Sequence, residues 1–297
     1  MISVKTGIRP EEVKFQRQHV LFVEGKDKQA IDPHVLNALF TRHIRIEPLG
    51  PSFSVRSVAE ALFGYHPTYY FLIDRDHYDD AAVNRFWANF PDPGTHNLLM
   101  WKRREIENYF LDPEYLHHSK YCQASQDDVA RQVLRLANER LFLDAANYVI
   151  TSIREELKRK WITHFSDPAA CASREIALRQ LQQANEFKAH RQRVNRIISP
   201  AEIEHRYHHV LDQITGSRVQ VEFGHGEWLA MLRGKKILTQ VVNSSCFRVE
   251  DQSGRLLTGK EKLNEVVKDL LRKAPSIQPP DFLELKRLIE QRITGTP

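Results

Sequence analysis

The chain has 297 residues and 34.7 kDa, 41% hydrophobic and 27% charged, so it can bury a sizeable core and wholesale disorder is excluded. No apolar run approaches the roughly 20 residues that span a bilayer, and the opening segment MISVKTGIRPEEVKFQRQ lacks the apolar stretch of a secretory signal. The net charge is +5, and Cys122, Cys171 and Cys246 lie far apart without CxxC spacing, which argues against a disulfide framework or structural zinc site and for a reducing cytoplasm.

The apolar run HVLFVEG (19–25) stops at a glycine and predicts a buried strand. KDKQAIDPHVLNALF (26–40) predicts a helix with Ile31, Val35, Leu36 and Leu39 on one side and Pro33 in an early turn or at a break. IRIEPLG (44–50) is a second strand, SVRSVAEALFGY (54–65) a second helix and TYYFLID (68–74) a third strand. LLMWKRREIENYFL (98–111) begins as a strand and continues into a charged turn or helix. Strands alternating with helices predict an α/β fold with a mostly parallel sheet.

From about residue 124 to 214 the pattern becomes helical, with apolar residues near a 3.6 period, Ser173 as an N-cap and Ser199–Pro200 as a stop. Gly216 closes the last of these helices. SRVQVEF (217–223) regains strand character, GEWLAMLRGKKILTQVV and KEKLNEVVKDLLRKA are helical, and prolines 275, 279 and 280 precede a final amphipathic helix. The expected organisation is an α/β core at 1–116, a basic helical insertion at 117–215, and a strand with helices at 216–297 that complete the core.

Charge is uneven. Residues 1–115 carry 14 basic and 16 acidic side chains, whereas residues 151–198 carry 10 basic and 5 acidic ones. A basic segment joined to a mildly acidic one is a layout suited to polyanions, with a solvated helix surface as the alternative. Lys158, Arg159, Arg191, Arg193 and Arg196 are its candidate phosphate contacts. Aromatic residues are sparse there, so backbone neutralisation is expected rather than base reading.

Acidic residues stand at the ends of the predicted strands: Glu24 with Asp27 three residues on, the pair Asp74 and Asp76, and Glu105 with Glu107. In an open parallel sheet the carboxyl ends of the strands line the functional crevice. Carboxylates gathered there repel one another unless a cation neutralises them, and hard oxygen donors suit Mg²⁺.

VLFVEGKDKQAI followed by YFLIDRD resembles the TOPRIM fold, a Rossmann-like metal-binding module of topoisomerases, primases and nucleases. Its signature is a Glu–Gly after the first strand and a DxD after a later one, matched by Glu24–Gly25 and Asp74-x-Asp76. REIENYFL, and more loosely WLAMLRGKKIL, resemble the nuclease branch related to overcoming-lysogenization-defect proteins. That branch includes the TOPRIM effectors that accompany ABC-type ATPases in anti-phage systems of the PARIS type. The resemblance covers residues 18–112 and, loosely, 224–243. It implies a metal-dependent nuclease using Mg²⁺ or Mn²⁺, acting on RNA (tRNA among the targets) in preference to DNA. It also implies a separate ABC-type ATPase partner and a homodimer when active. Carried over by position, Glu24 is the acid/base or metal-proximal carboxylate. Asp74 and Asp76 are metal ligands, Asp27 matches an acidic position after the Glu–Gly, and Glu107 supports a second ion. Lys235 or Lys236 is the cation for developing phosphorane charge.

Structural alternatives stand beside these roles. Asp74 or Asp76 could N-cap the following helix, and Glu105 is expected as a solvent-exposed partner of Arg103 or Arg104. His117, His118, His205, His208 and His209 are expected as surface or packing residues. The chain as a whole could be a non-catalytic docking module for an ATPase or nucleic acid. No GxxxxGK[ST] or GxGxxG motif occurs, so nucleotide binding by this chain itself is unsupported.

Overall fold

A computed structural model describes residues 19–25, 31–40, 44–62, 64–92, 96–157, 173–183 and 185–294. The fold is mixed α/β, with a four-stranded, all-parallel sheet and helical parts. The strands are β1 (His19–Val23), β2 (Ile44–Pro48), β3 (Tyr69–Ile73) and β4 (Leu98–Met100), in the spatial order β2-β1-β3-β4. Parallel strands covered on both faces need near-continuous apolar sequence. Val20, Leu21 and Val23 of β1, Tyr70 to Ile73 of β3 and all of β4 are accordingly buried.

Helices α1 (Ile31–Phe40), α2 (Ser52–Leu62) and α3 (Asp80–Asn89) connect the strands. Pro33 sits in the first turn of α1, where its missing N–H costs no helical hydrogen bond. Val55 and Ala59 of α2 and Val83 of α3 pack with Phe71, Ile73, Leu98 and Met100 against one part of the sheet. Ile31, Val35, Leu36, Leu39 and Phe40 form the buried side of α1.

After β4 come a 3-10 turn (Ile106–Phe110), α4 (Pro113–His117) and the long α5 (Gln126–Leu157). Then follow α6 (Arg174–Gln183), α7 (Asn185–Ile197), α8 (Pro200–Thr215), α9 (Trp228–Met231), α10 (Gly234–Asn243), α11 (Gly259–Leu270) and α12 (Pro280–Thr294). The chain forms two compact units, Met1–Glu139 with Leu229–Pro297, and Arg140–Trp228. Residues 117–139, placed with the insertion by sequence, fall in the first unit. Cys122 pairs with Phe247 through an antiparallel bridge there, and the Ser119 hydroxyl donates to Asp269 at 3.1 Å. In that unit α10 packs on α11 and the 3-10 turn, and both α11 and α12 pack on α1.

In the second unit Ser199 caps α8, accepting from the Glu202 N–H, and Gly216 ends it at a φ of 63°. The strand expected at 217–223 does not form: the segment is bends and turns, with Val219 97% exposed and Val221 buried. Alternating Val-x-Val needs a neighbouring strand to complete a ladder, and among the described residues none is beside it. The segment folds back instead, as Glu227 N–H donates to the Gln213 carbonyl at 2.8 Å. Among the described residues no helix is long and apolar enough to cross a membrane.

Candidate functional site

The chain enters the sheet at β1, steps outward to β2, then returns past β1 to β3 and β4. The carboxyl ends of β1 and β3 therefore flank the point where connections reverse direction, the usual crevice of such sheets. Glu24 directly follows β1 and Asp74 directly follows β3. The Asp74 backbone N–H donates to Glu24 Oε1 at 2.9 Å, and the Ser52 hydroxyl at the start of α2 hydrogen-bonds the same carboxylate. Two residues 50 apart in sequence are thus joined at the switch point.

Gly25 explains why glycine follows this glutamate. Its φ is 129°, and it exchanges two backbone hydrogen bonds with Gly50, at 2.9 and 2.7 Å. This small antiparallel bridge ties the segments leaving β1 and β2 in a conformation that side chains disfavour.

The pair Asp74 and Asp76 is not a helix cap. Asp79 caps α3, accepting from the Ala82 N–H at 2.7 Å, which leaves both earlier aspartates to other roles. Asp76 is exposed at a left-handed φ of 51°, a conformation aspartate tolerates better than most residues. Arg75 between them points inward. It is 5% exposed and donates to the carbonyls of Tyr78 and Lys102, each at 2.8 Å, while pairing with Asp80. It staples the turn after β3 to the segment after β4.

That segment brings Glu105 and Glu107, 8% and 3% exposed. Glu105 corrects the sequence expectation. It is buried rather than solvated, and its partners are Arg233 Nε at 3.3 Å and the Lys235 N–H at 2.8 Å, not Arg103 or Arg104. Asn108, wholly buried, completes the joint. Its side-chain oxygen accepts from the N–H groups of Glu105 and Gly234, and its amide donates to the Leu232 carbonyl at 3.0 Å. A Cβ at Gly234 would lie 2.2 Å from Asn108 Oδ1, so only glycine fits the start of α10 here.

The carboxyl groups feel one another. Burial, with added repulsion from Asp76 and Asp32, lifts Glu24 from 4.5 to about 7. Burial and the charges of Asp32 and Glu105 raise Glu107 to about 8, and Asp32 is raised to about 6 chiefly by burial. Asp74 is held well above its ordinary value by burial and by Asp32, Glu24, Glu107 and Glu105. Asp76, though exposed as a residue, has its carboxyl crowded enough by protein to be raised, against the pull of Arg104, His77 and Arg56. The Lys235 ammonium opposes the rise at Asp32 and Glu107, which locates its charge beside them.

Of the candidate residues, Glu24, Asp74, Asp76, Glu107 and Lys235 thus share one electrostatic neighbourhood. Asp27, Lys158 and Arg159 lie outside the described residues. Arg191 and Arg196 are exposed on α7 in the second unit, whereas Arg193 is half-buried and faces Glu156 at 3.7 Å. His205 and His209 stack at 6.5 Å on α8, and His208 is exposed beside Glu204. Sequence reasoning missed Asp32 and Arg233, and it named Glu105 among the strand-end acids but expected it in solvent. A signal existed for Asp32, because the first turn of a helix that follows a parallel strand lies near the carboxyl edge of the sheet.

Among the described residues no three His, Cys, Asp or Glu side chains stand close enough to grip a metal ion as placed. The donor chemistry nonetheless fits one: all groups are carboxylates, and their raised pKa values are relieved by a neighbouring divalent cation. No protein-family model matches the chain, and no curated protein matches it.

Proposed function

We propose that the chain is a metal-dependent nuclease with a TOPRIM-like core, hydrolysing phosphodiesters at the carboxyl ends of β1 and β3. The observation that carries the proposal is the joining of Glu24 and Asp74 at the switch point, surrounded by Asp32, Asp76, Glu105 and Glu107. Asp74, Asp76 and Glu107 would hold Mg²⁺ or Mn²⁺, with Asp27 as the further ligand that the resemblance implies. Bound there, the ion would polarise the phosphoryl group and lower the pKa of a water. Glu24 stands where it can exchange a proton with the attacking water, and the Asp74 N–H and Ser52 hydroxyl fix its orientation. Lys235 supplies positive charge next to the acidic groups, where it can meet charge developing on phosphate.

The sequence resemblance further supports RNA, tRNA included, as the substrate favoured over DNA. It supports an anti-phage effector role with a separate ABC-type ATPase, a homodimeric active form and a cytoplasmic location. The exposed Arg191 and Arg196 support backbone contacts by the basic segment.

The test is cleavage of labelled RNA and DNA by purified protein with Mg²⁺ or Mn²⁺. Activity should vanish in Glu24→Ala with the circular dichroism spectrum unchanged. Full activity of that variant would overturn the proposal. Binding of nucleic acid or ATPase without any metal-supported cleavage would assign the chain to the docking module instead.

A further inference from the structure

Beside the carboxylates lies a feature that hydrolysis alone does not require. Phe53 directly follows Ser52, the residue that hydrogen-bonds Glu24, and yet 66% of its surface faces solvent. It occupies the first turn of α2, and Arg56, three residues on, is its neighbour on that helix. The Arg56 guanidinium lies 4.7 Å from the centre of the Tyr78 ring, and Tyr78 stacks on His77 with 4.7 Å between ring centres. Arg56 is also close enough to Asp76 to influence its charge. Its Nη2 is shielded from solvent and has no hydrogen-bond acceptor. An exposed aromatic ring thus follows the residue that holds Glu24, and Arg56 and His77 act electrostatically on Asp76.

We infer that Phe53, with Arg56 beside it, is a stacking step for an unpaired nucleobase, so that the substrate of the proposed nuclease is single-stranded or looped nucleic acid. The inference rests on that proposed activity for its purpose. The physical basis is geometric. A duplex keeps its base faces covered by its own stacking and offers only groove edges and phosphates. A solvated phenylalanine ring gains most from the face of a splayed base, whatever its identity. Arg56, held over Tyr78, adds a positive charge next to that step on the same helix. The platform therefore selects for strandedness and places the phosphate next to the stacked base near Glu24.

The test uses the full chain carrying Glu24→Gln to prevent turnover, and a single-stranded RNA oligonucleotide with one 2-aminopurine. The same strand annealed to its complement is the control. The single strand should bind with quenched 2-aminopurine emission and the duplex should bind more weakly without quenching. Phe53→Ala should lose the quench and weaken single-strand binding about tenfold, within the range measured for base–aromatic stacking. Phe53→Trp should keep both. Equal binding of duplex and single strand, binding of neither, or a quench untouched by Phe53→Ala would overturn the inference. The chain with Glu24 intact separates the two proposals. If it fails to cleave while the Phe53-dependent quench persists, the activity falls and the platform stands. If it cleaves single strand and duplex alike, with or without Phe53, the platform falls and the activity stands.

Discussion

Glu107→Gln should make the metal-free protein more stable at pH 8 while weakening its response to Mg²⁺. Glu107 is 3% exposed, and burial together with Asp32 and Glu105 holds its carboxyl near 8 rather than 4.5. Between those values the unfolded chain has released the proton that the folded chain still binds. Stability therefore falls as pH rises through this window and is fully present only below it. At about 1.36 kcal/mol per pH unit the ceiling for one group is about 4 kcal/mol at pH 8. Several carboxylates share this repulsion and Lys235 opposes it, so about 2 kcal/mol is expected. Glutamine has the shape of the protonated acid and no charge to repel, so it should recover that amount. The assay is urea unfolding with a chelator at pH 5.5 and pH 8, then at pH 8 with Mg²⁺. Wild type should lose stability between the two pH values and regain it with the ion, because a ligand of the folded state stabilises by mass action. The variant should show a flatter pH dependence, a higher midpoint at pH 8 with unchanged slope, and a smaller gain from Mg²⁺. A variant less stable than wild type at pH 8, or one with the same pH dependence and Mg²⁺ response, would refute the electrostatic account of the site.

Gly234→Ala should cost about 2–3 kcal/mol and sharply reduce cleavage, because the new Cβ would collide with buried Asn108 and push Lys235 away from the carboxylates. Urea midpoints and cleavage rates measured together check this, and a variant with wild-type values in both would contradict it. Reversing Arg191 and Arg196 to Glu should leave the unfolding midpoint within about 0.5 kcal/mol, since both are exposed. The same change should weaken nucleic-acid binding for all sequences alike and lower the salt dependence by about one unit per lost phosphate contact, read by anisotropy at several salt concentrations.

Much of the core was legible because β1 and β3 are apolar runs that end at an acid and β4 is wholly apolar. Leu21, Phe71 and Leu99 signal buried parallel strands by composition, and Glu24 and Asp74 signal a crevice by standing at the strand ends. Asp32 as a site residue and the partners of Glu105 were not legible, since these neighbours arise from the crossing of α1, the segment after β4 and α10. Glu105 beside Arg103 and Arg104 looks like a surface ion pair on local grounds. Its true partners, Arg233 and Lys235, are 128 and 130 residues away. The segment SRVQVEF failed for the opposite reason: its local pattern is strand-like, but among the described residues no strand lies beside it.

The joint formed by Glu105, Asn108 and residues 232–235 bears on how the protein is made. All the carboxylates at the crevice are synthesised by residue 107, but Lys235 and the Arg233 and Gly234 partners of Glu105 and Asn108 emerge only after the whole unit Arg140–Trp228. A growing chain that has passed residue 107 carries the acidic groups with no lysine to offset them and with the Asn108 side chain unpaired. Domains form as their segments leave the ribosome, so this crevice is among the last parts of the protein to close. A chain released between residues 107 and 233 carries all four strands described here yet lacks the cation and the clasp. Under the proposed activity, such a copy would carry the acidic groups without a finished crevice.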